Sequence, residues 1–298
     1  MEQNPVLFAG SHQFQVPGNA QDPPLSALLH YPCGQPSRLT RFGPYELDVS
    51  VDAPAAAGRF PLVLISHGSG GAPLLYRNLS LALARSGYFV ALIKHPGNSL
   101  GDNELHGEDL AGAEPILRNR PRQLLALLDA LLQGPAWAPA IADEPVTAVG
   151  HSLGGYTVLS VAGGQPWTRA REPIRVPHDS RIGALVLMAP ACGPFLAPGA
   201  LAGVTAPILA LTAEHDRLTP DAEVRAALGA VPDPARVIIR TVPNAGHFSF
   251  LSPFPDSMRN PQFAPANDPS GFDREGFHEG LPTLIQDWIR SARGALLG

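Results

Sequence analysis

Six short apolar runs, each closing on turn-forming residues and separated from the next by helical periodicity, constrain this chain more than any other feature. They are PLVLISHG (61–68), YFVALIKHPG (88–97), PVTAVG (145–150), IGALVLMAP (182–190), PILALTAEHD (207–216) and RVIIRTVPNAGH (236–247). Each is too short for a typical helix. Unbroken apolar character bounded by turn residues is the pattern of strands buried on both faces. Helical patterns lie between and after them, over 74–86, 121–132, 153–162, 221–228 and 281–297. Such alternation predicts an α/β fold with a mostly parallel central sheet and helices on both faces. In PRQLLALLDALL, Pro121 is expected at the first helical position, where its missing N–H costs little.

The first 60 or so residues follow a different period. YELDVSVDAP (45–54) alternates apolar and polar side chains as an edge hairpin does. Residues 27–54 are therefore expected to open the sheet as antiparallel strands. Two polar stretches rich in Gly and Pro, 97–119 and 252–279, show no period. Loops of that length are uncommon unless functional or disordered, and both are expected to wall or cover a site. Residues 1–298 are read as one domain.

Composition narrows the function classes. Hydrophobic residues make up 45% and charged residues 16%, and the formal net charge is −5, which suits a globular chain with a large core. There is no basic stripe, so a nucleic-acid partner is not expected. The tightest basic cluster, Arg118, Arg120 and Arg122, reads as a solvated helix entrance. The two cysteines, Cys33 and Cys192, have no metal-like spacing and read as small buried hydrophobes. The N-terminus lacks the pattern of a signal peptide, and no apolar run has the length of a membrane span. A cytoplasmic location without a membrane span is the resulting expectation.

The chemistry concentrates at AVGHSLGGYT (148–157). GHSLG matches G-x-S-x-G where a strand gives way to a helix. In that setting the turn is so sharp that side chains beside the serine would collide, and Gly150 and Gly154 remove those collisions. Ser152 would be held with its Oγ clear of the sheet, at a helix N-terminus that favours negative charge.

A serine hydroxyl needs a base, and the base needs an orienting group. His247, following the strand RVIIRTV, is the candidate base, with His278 the runner-up. His215 would share a turn with the acid, and His151 would point away from the serine. The acid should lie between serine and histidine in chain order. Asp216, just past an apolar strand, is the candidate, with Glu214 the alternative and a turn-forming role for Asp216 the bland reading. Oxyanion donors are expected from the N–H of Leu153 and from the HGSGG loop (67–71), by Ser69 or alternatively Gly70. His67 reads as a structural hydrogen-bonding residue of that loop.

HGSGG, GHSLGG, AEHDRLTP and NAGHF, in this order, resemble the α/β-hydrolase superfamily. LISHGSGG and IKHPGNS are similar to serine esterases of the dienelactone-hydrolase-like and platelet-activating-factor-acetylhydrolase-like bacterial groups. The resemblance implies Ser152 as nucleophile, Asp216 as acid, His247 as base, and Ser69 and Leu153 as oxyanion donors. It also implies a small-molecule ester substrate with neither metal nor organic cofactor. Amide, thioester or lactone hydrolysis by the same residues, or a non-catalytic binding role, are the alternatives. Two departures stand out. Dienelactone hydrolases carry cysteine at the position of Ser152, and the acetylhydrolase acid follows the sixth strand, where this chain has LMAPAC and no carboxylate. Phe248, Phe250 and Phe254 could line an apolar pocket or pack in the core.

Overall fold

The computed structural model describes residues 6–18, 23–103 and 114–297. Twelve strands are found among them: β1 (Phe8–Val16), β2 (Leu25–Cys33), β3 (Arg38–Phe42), β4 (Tyr45–Val51), β5 (Leu62–Ser66), β6 (Phe89–Lys94), β7 (Asn98–Ser99), β8 (Asp102–Asn103), β9 (Val146–His151), β10 (Ile182–Met188), β11 (Ile208–Ala213) and β12 (Val237–Val242). The α-helices are α1 (Arg77–Arg85), α2 (Glu114–Gln133), α3 (Leu153–Val161), α4 (Asp221–Leu228) and α5 (Arg274–Leu297).

Ten strands form one sheet in the order β12-β11-β10-β9-β5-β6-β2-β1-β4-β3. From β12 to β6 every pairing is parallel, and β2 joins antiparallel to β6. The apolar runs of the sequence are these parallel strands. The N-terminal region is antiparallel, as its alternation predicts, with one difference: β1 pairs with β4 in parallel. β12 also differs from expectation, because it ends the sheet and its side chains are half-buried or exposed.

Side chains alternate across the strands, so each strand feeds two cores. Leu64, Ala148, Leu185, Leu187 and Ala210 face one way and pack with α2, α3 and α4. Val63, Ile65, Val149, Val186 and Leu209 face the other way and pack with α1 and α5. All nine residues of α3 are buried, which matches its nearly uniform apolar sequence. Cys33 and Cys192 are both free and buried.

Helix α2 begins earlier than its sequence pattern predicts and carries Pro121 in its interior. A proline there leaves the carbonyl four residues back without its helical donor. That carbonyl belongs to Leu117, and the Tyr156 hydroxyl donates to it at 3.1 Å. A partner from α3 thus satisfies the group the proline strands. Residues 104–113, within the expected loop 97–119, lie outside the described residues. The stretch 252–279 contains short 3₁₀ turns at Asp256–Met258 and Ala264–Ala266 and the first turn of α5. Among the described residues, no helix is long and apolar enough to cross a membrane.

Candidate active site

Ser152 stands alone between the end of β9 and the start of α3. Its φ of 53° and ψ of −120° lie where L-residues with side chains rarely sit. Such a conformation costs about 1–3 kcal/mol and persists only when its surroundings over-determine it. They do so here. The Ser152 N–H donates to the Met188 carbonyl at 3.0 Å, and its carbonyl accepts from Gly155 N–H at 2.8 Å and Ala191 N–H at 2.9 Å. The glycines have steric reasons. A Cβ on Gly150 would lie 2.2 Å from the Gly154 carbonyl oxygen, one on Gly154 1.9 Å from the Ser66 carbonyl oxygen, and one on Gly155 2.5 Å from Pro190 Cβ. Leu153 opens α3, so its N–H is among those a helix start leaves free of intrahelical partners.

Asp216 follows β11, and His247 opens a 3₁₀ turn beyond β12. His247 Nδ1 is 2.8 Å from Asp216 Oδ2, with both side chains almost fully buried. The other oxygen, Asp216 Oδ1, accepts from the N–H groups of Leu218 and Thr219 at 2.8 and 2.9 Å. The turn-forming and histidine-facing readings of Asp216 therefore both hold, one oxygen to each. Burial alone would raise the Asp216 carboxyl. The hydrogen bond and charge of His247, with the Thr219 donors, outweigh it and hold the group below the usual carboxylate range.

Thr219, which sequence reasoning missed, ties this pair to the sheet. Its Oγ1 is 2.7 Å from Asp216 Oδ2, 3.0 Å from the Ala189 carbonyl and 3.2 Å from His247 Nδ1. The available signal was local: a hydroxyl three residues after an aspartate is a common turn closure.

The loop after β5 reaches Ser152 directly. A Cβ on Gly68 would lie 3.2 Å from Ser152 Cβ. Gly71 N–H donates to the Gly68 carbonyl at 3.1 Å, closing a turn through Ser69 and Gly70, and Gly70 takes a φ of +62°. His67 Nδ1 donates to the Gly68 carbonyl at 2.7 Å while its Nε2 accepts from His95 N–H at 3.1 Å. Burial pushes this imidazole down to about 3, so it is neutral and structural, as its motif suggests.

His151 links the two halves of the site. Gly68 N–H donates to the Tyr76 hydroxyl at 3.2 Å, which lies 3.0 Å from His151 Nδ1, and His151 Nε2 is 2.9 Å from the His247 carbonyl. With the carbonyl accepting, His151 carries its proton on Nε2. Its ring centroid is 5.0 Å from that of His247. The alternatives named from sequence have other duties. Glu214 accepts from Asn244 N–H, His215 is exposed, and His278 Nε2 donates to the Ser249 carbonyl at 3.1 Å. Phe250 and Phe254 are core residues, and Phe248 packs edge-on to the His247 ring.

The reading of Arg118, Arg120 and Arg122 as a solvated cluster is corrected at its centre. Arg118 is exposed and pairs with Glu114, but Arg120 is 1% exposed. It lies on the face of α2 turned to the sheet, where charge-run reasoning does not look.

A cleft of about 680 Å³ opens beside the site. Thr219 and Ala191, which bond His247 and Ser152 respectively, both line it, together with Leu117, Trp167, Ile174 and Leu218. No residue of 252–279 lines this cleft. Among the described residues no cluster of three or more His, Cys, Asp or Glu is placed to hold a metal ion.

Comparison with solved structures decides the fold. A ferulic acid esterase from Streptomyces cinnamoneus superimposes with a TM-score of 0.67 at 19% identity, covering 98% of this chain and 90% of that one. The chain has the α/β-hydrolase fold. A dienelactone hydrolase from Anabaena variabilis ATCC 29413 matches with a TM-score of 0.54 at 19% identity, covering 95% of this chain and 98% of that one. The family model for platelet-activating factor acetylhydrolase, isoform II, matches residues 30–108, which carry the 67–71 loop. No curated protein matches the sequence. Ser152 occupies the strand-to-helix turn after β9, and Asp216 and His247 follow in that chain order, the order usual in this fold.

Proposed function

We propose that this protein is a serine hydrolase that cleaves carboxylic esters of small or medium acyl and alcohol groups. The observation that carries the reading is the strained Ser152 at a helix N-terminus, with the buried His247–Asp216 pair against the neighbouring His151. The esterases and hydrolases among the solved structures of this fold, and the matched acetylhydrolase family model, support the same class.

In this reading Ser152 Oγ attacks the ester carbonyl carbon while His247 Nε2 takes the hydroxyl proton. Asp216 holds His247 with its proton on Nδ1 and stabilises the imidazolium that forms. The carbonyl oxygen becomes an oxyanion facing the backbone N–H groups of Ser69 and Leu153, assisted by the α3 N-terminus. Collapse breaks the C–O bond, and His247 returns its proton to the departing alcohol. Water, deprotonated by His247, then attacks the acyl–Ser152 ester. The carboxylic acid leaves and ionises to solvent as His247 passes the proton taken from water to Ser152.

The cleft lined by Leu117, Trp167, Ile174 and Leu218 is the acyl or alcohol site in this reading, since it adjoins both Thr219 and Ala191. Residues 97–103 and 252–279 reach the elements of the site. Asn98 in the first contacts Ser69, and contacts of the second brace the His247 turn through the Ser249–Asp268 bond at 2.6 Å.

A panel of p-nitrophenyl esters, anilides, lactones and acyl-CoA compounds tests the class, with fluorophosphonate labelling in parallel. Ester turnover, with one adduct mapped to Ser152, is the expected result. Turnover of anilide, lactone or thioester alone would move the bond specificity. No turnover and no adduct at neutral pH would favour a binding protein.

A further inference from the structure

Arg120 is a fully buried cation with no carboxylate partner among the described residues. Burying a charge is costly unless it is thoroughly hydrogen-bonded. Burial pulls this guanidinium down to about 9, which leaves it cationic at neutral pH. Every bond it makes surrounds the loop that faces Ser152. Nε donates to Thr157 Oγ1 on α3 at 3.0 Å, Nη1 to Asn98 Oδ1 at 2.6 Å, and Nη2 to Ser66 Oγ at 3.2 Å and to the His67 carbonyl. One planar fork therefore ties α2, α3, β7 and the end of β5 together.

The second link runs through Asn98. With its Oδ1 held by Arg120, its Nδ2 donates to Ser69 Oγ at 3.1 Å and to Asn103 Oδ1 at 2.8 Å. Asn98 is itself fully buried. Ser69 is exposed and part of a tight turn, and this bond anchors its side chain. The Arg120-bound segment also packs on the serine turn, because Gly154 lies against the Ser66 and His67 carbonyls.

We propose that Arg120 and Asn98 are positioning residues that hold the 67–71 loop, and through it the Ser69 N–H, in register with Ser152. The proposal rests on the serine-hydrolase reading given above. Ser69→Ala removes the Ser69 link alone. Asn98→Asp reverses that link without breaking it, because the Ser69 hydroxyl can donate to the carboxylate while Arg120 keeps its acceptor. Asn98→Ala loses both.

The experiment measures kcat and KM on a p-nitrophenyl ester, per active site titrated with a fluorophosphonate, alongside the melting temperature. Per titrated site, Asn98→Ala and Ser69→Ala are each expected to lower kcat about 10-fold with KM within about twofold, as misplacement of a reacting geometry does, whereas Asn98→Asp, which keeps a bond to both partners, should stay within about twofold of wild type. The melting temperature of Ser69→Ala should stay near wild type, and adding Ser69→Ala to Asn98→Ala should lower kcat no further, since the serine bond is already gone. Arg120→Lys, which keeps the charge and loses the fork, should fall further in kcat than Ser69→Ala. A kcat within twofold of wild type for either Asn98→Ala or Ser69→Ala would overturn the proposal while leaving the hydrolase reading standing. Absence of any Ser152 adduct in the wild-type protein would remove the reading itself, and the proposal with it.

Discussion

Asp216 divides its two carboxylate oxygens, Oδ2 to His247 Nδ1 at 2.8 Å and Oδ1 to the backbone of its own turn. The division predicts what an isosteric change does. In Asp216→Asn, the turn needs an acceptor on the Oδ1 side, so the amide NH₂ faces His247 Nδ1. That reverses the tautomer and removes the stabilising charge. Steady-state kinetics should show kcat lowered by about 10⁴, with the fold intact by circular dichroism. A loss under tenfold would mean that Asp216 only forms a turn.

The glycines around Ser152 predict a contrast between positions. Gly154→Ala places a Cβ against the Ser66 carbonyl oxygen, which is backbone and cannot give way. Overpacking of this kind costs at least about 1–3 kcal/mol, and a clear fall in melting temperature is expected. Gly280, exposed on α5 with nothing within 4 Å of a built Cβ, should behave oppositely. Gly280→Ala should stabilise by about 0.5–1 kcal/mol through helix propensity. Thermal melts of the two variants check both signs.

Buried histidines predict how stability depends on pH. Burial, the largest cause in each case, pushes His30, His67 and His151 down to about 3 and His278 to about 4, and holds His95 well below its ordinary value. In the unfolded chain each returns to 6.5. Between these values the unfolded state binds more protons than the folded one, so stability rises with pH. The contribution is fully present above 6.5 and is lost as pH falls toward 4 and then 3. Urea melts across this range should show a steep acid loss. Replacing His30, which is far from Ser152 in the sheet and bonds Ser80 at 2.8 Å, with Gln should flatten the slope. An unchanged slope would show that His30 does not titrate with unfolding.

The cleft predicts selectivity. Trp167 and Leu218 line it, and Leu218 is 50% exposed. Trp167→Ala should raise KM about 10-fold for p-nitrophenyl esters with longer acyl chains and leave the acetate near wild type, the scale expected for lost apolar contact. A uniform change across chain lengths would place the substrate elsewhere.

Much of this was legible in the sequence because the fold writes itself in local patterns. The parallel strands are apolar on both faces, and the turn at Ser152 demands glycines that nothing else would explain. The pairing of Asp216 with His247 was legible by chain order and by their places after β11 and β12. What was not legible depends on contacts distant in sequence. Arg120 looks like one of three surface arginines until α2 is docked. Pro121 looks like a helix start until Tyr156 is seen bonding the Leu117 carbonyl. Thr219 and Asn98 are small polar residues with one near partner each, and the partners that tie them to the site, Ala189 and His247 for the first and Ser69 and Arg120 for the second, lie 22 to 30 residues away. The parallel pairing of β1 with β4 had no local signal, since β1 lacks a clean alternation.

The most direct test is a rapid-mixing experiment with excess p-nitrophenyl butyrate, quenched in acid and followed by peptide mapping. A burst of p-nitrophenolate stoichiometric with enzyme, with the butyryl group on the peptide containing Ser152 and no burst in Ser152→Ala, is the predicted result. A full burst in Ser152→Ala, or an acyl group mapped to another residue, would contradict the account.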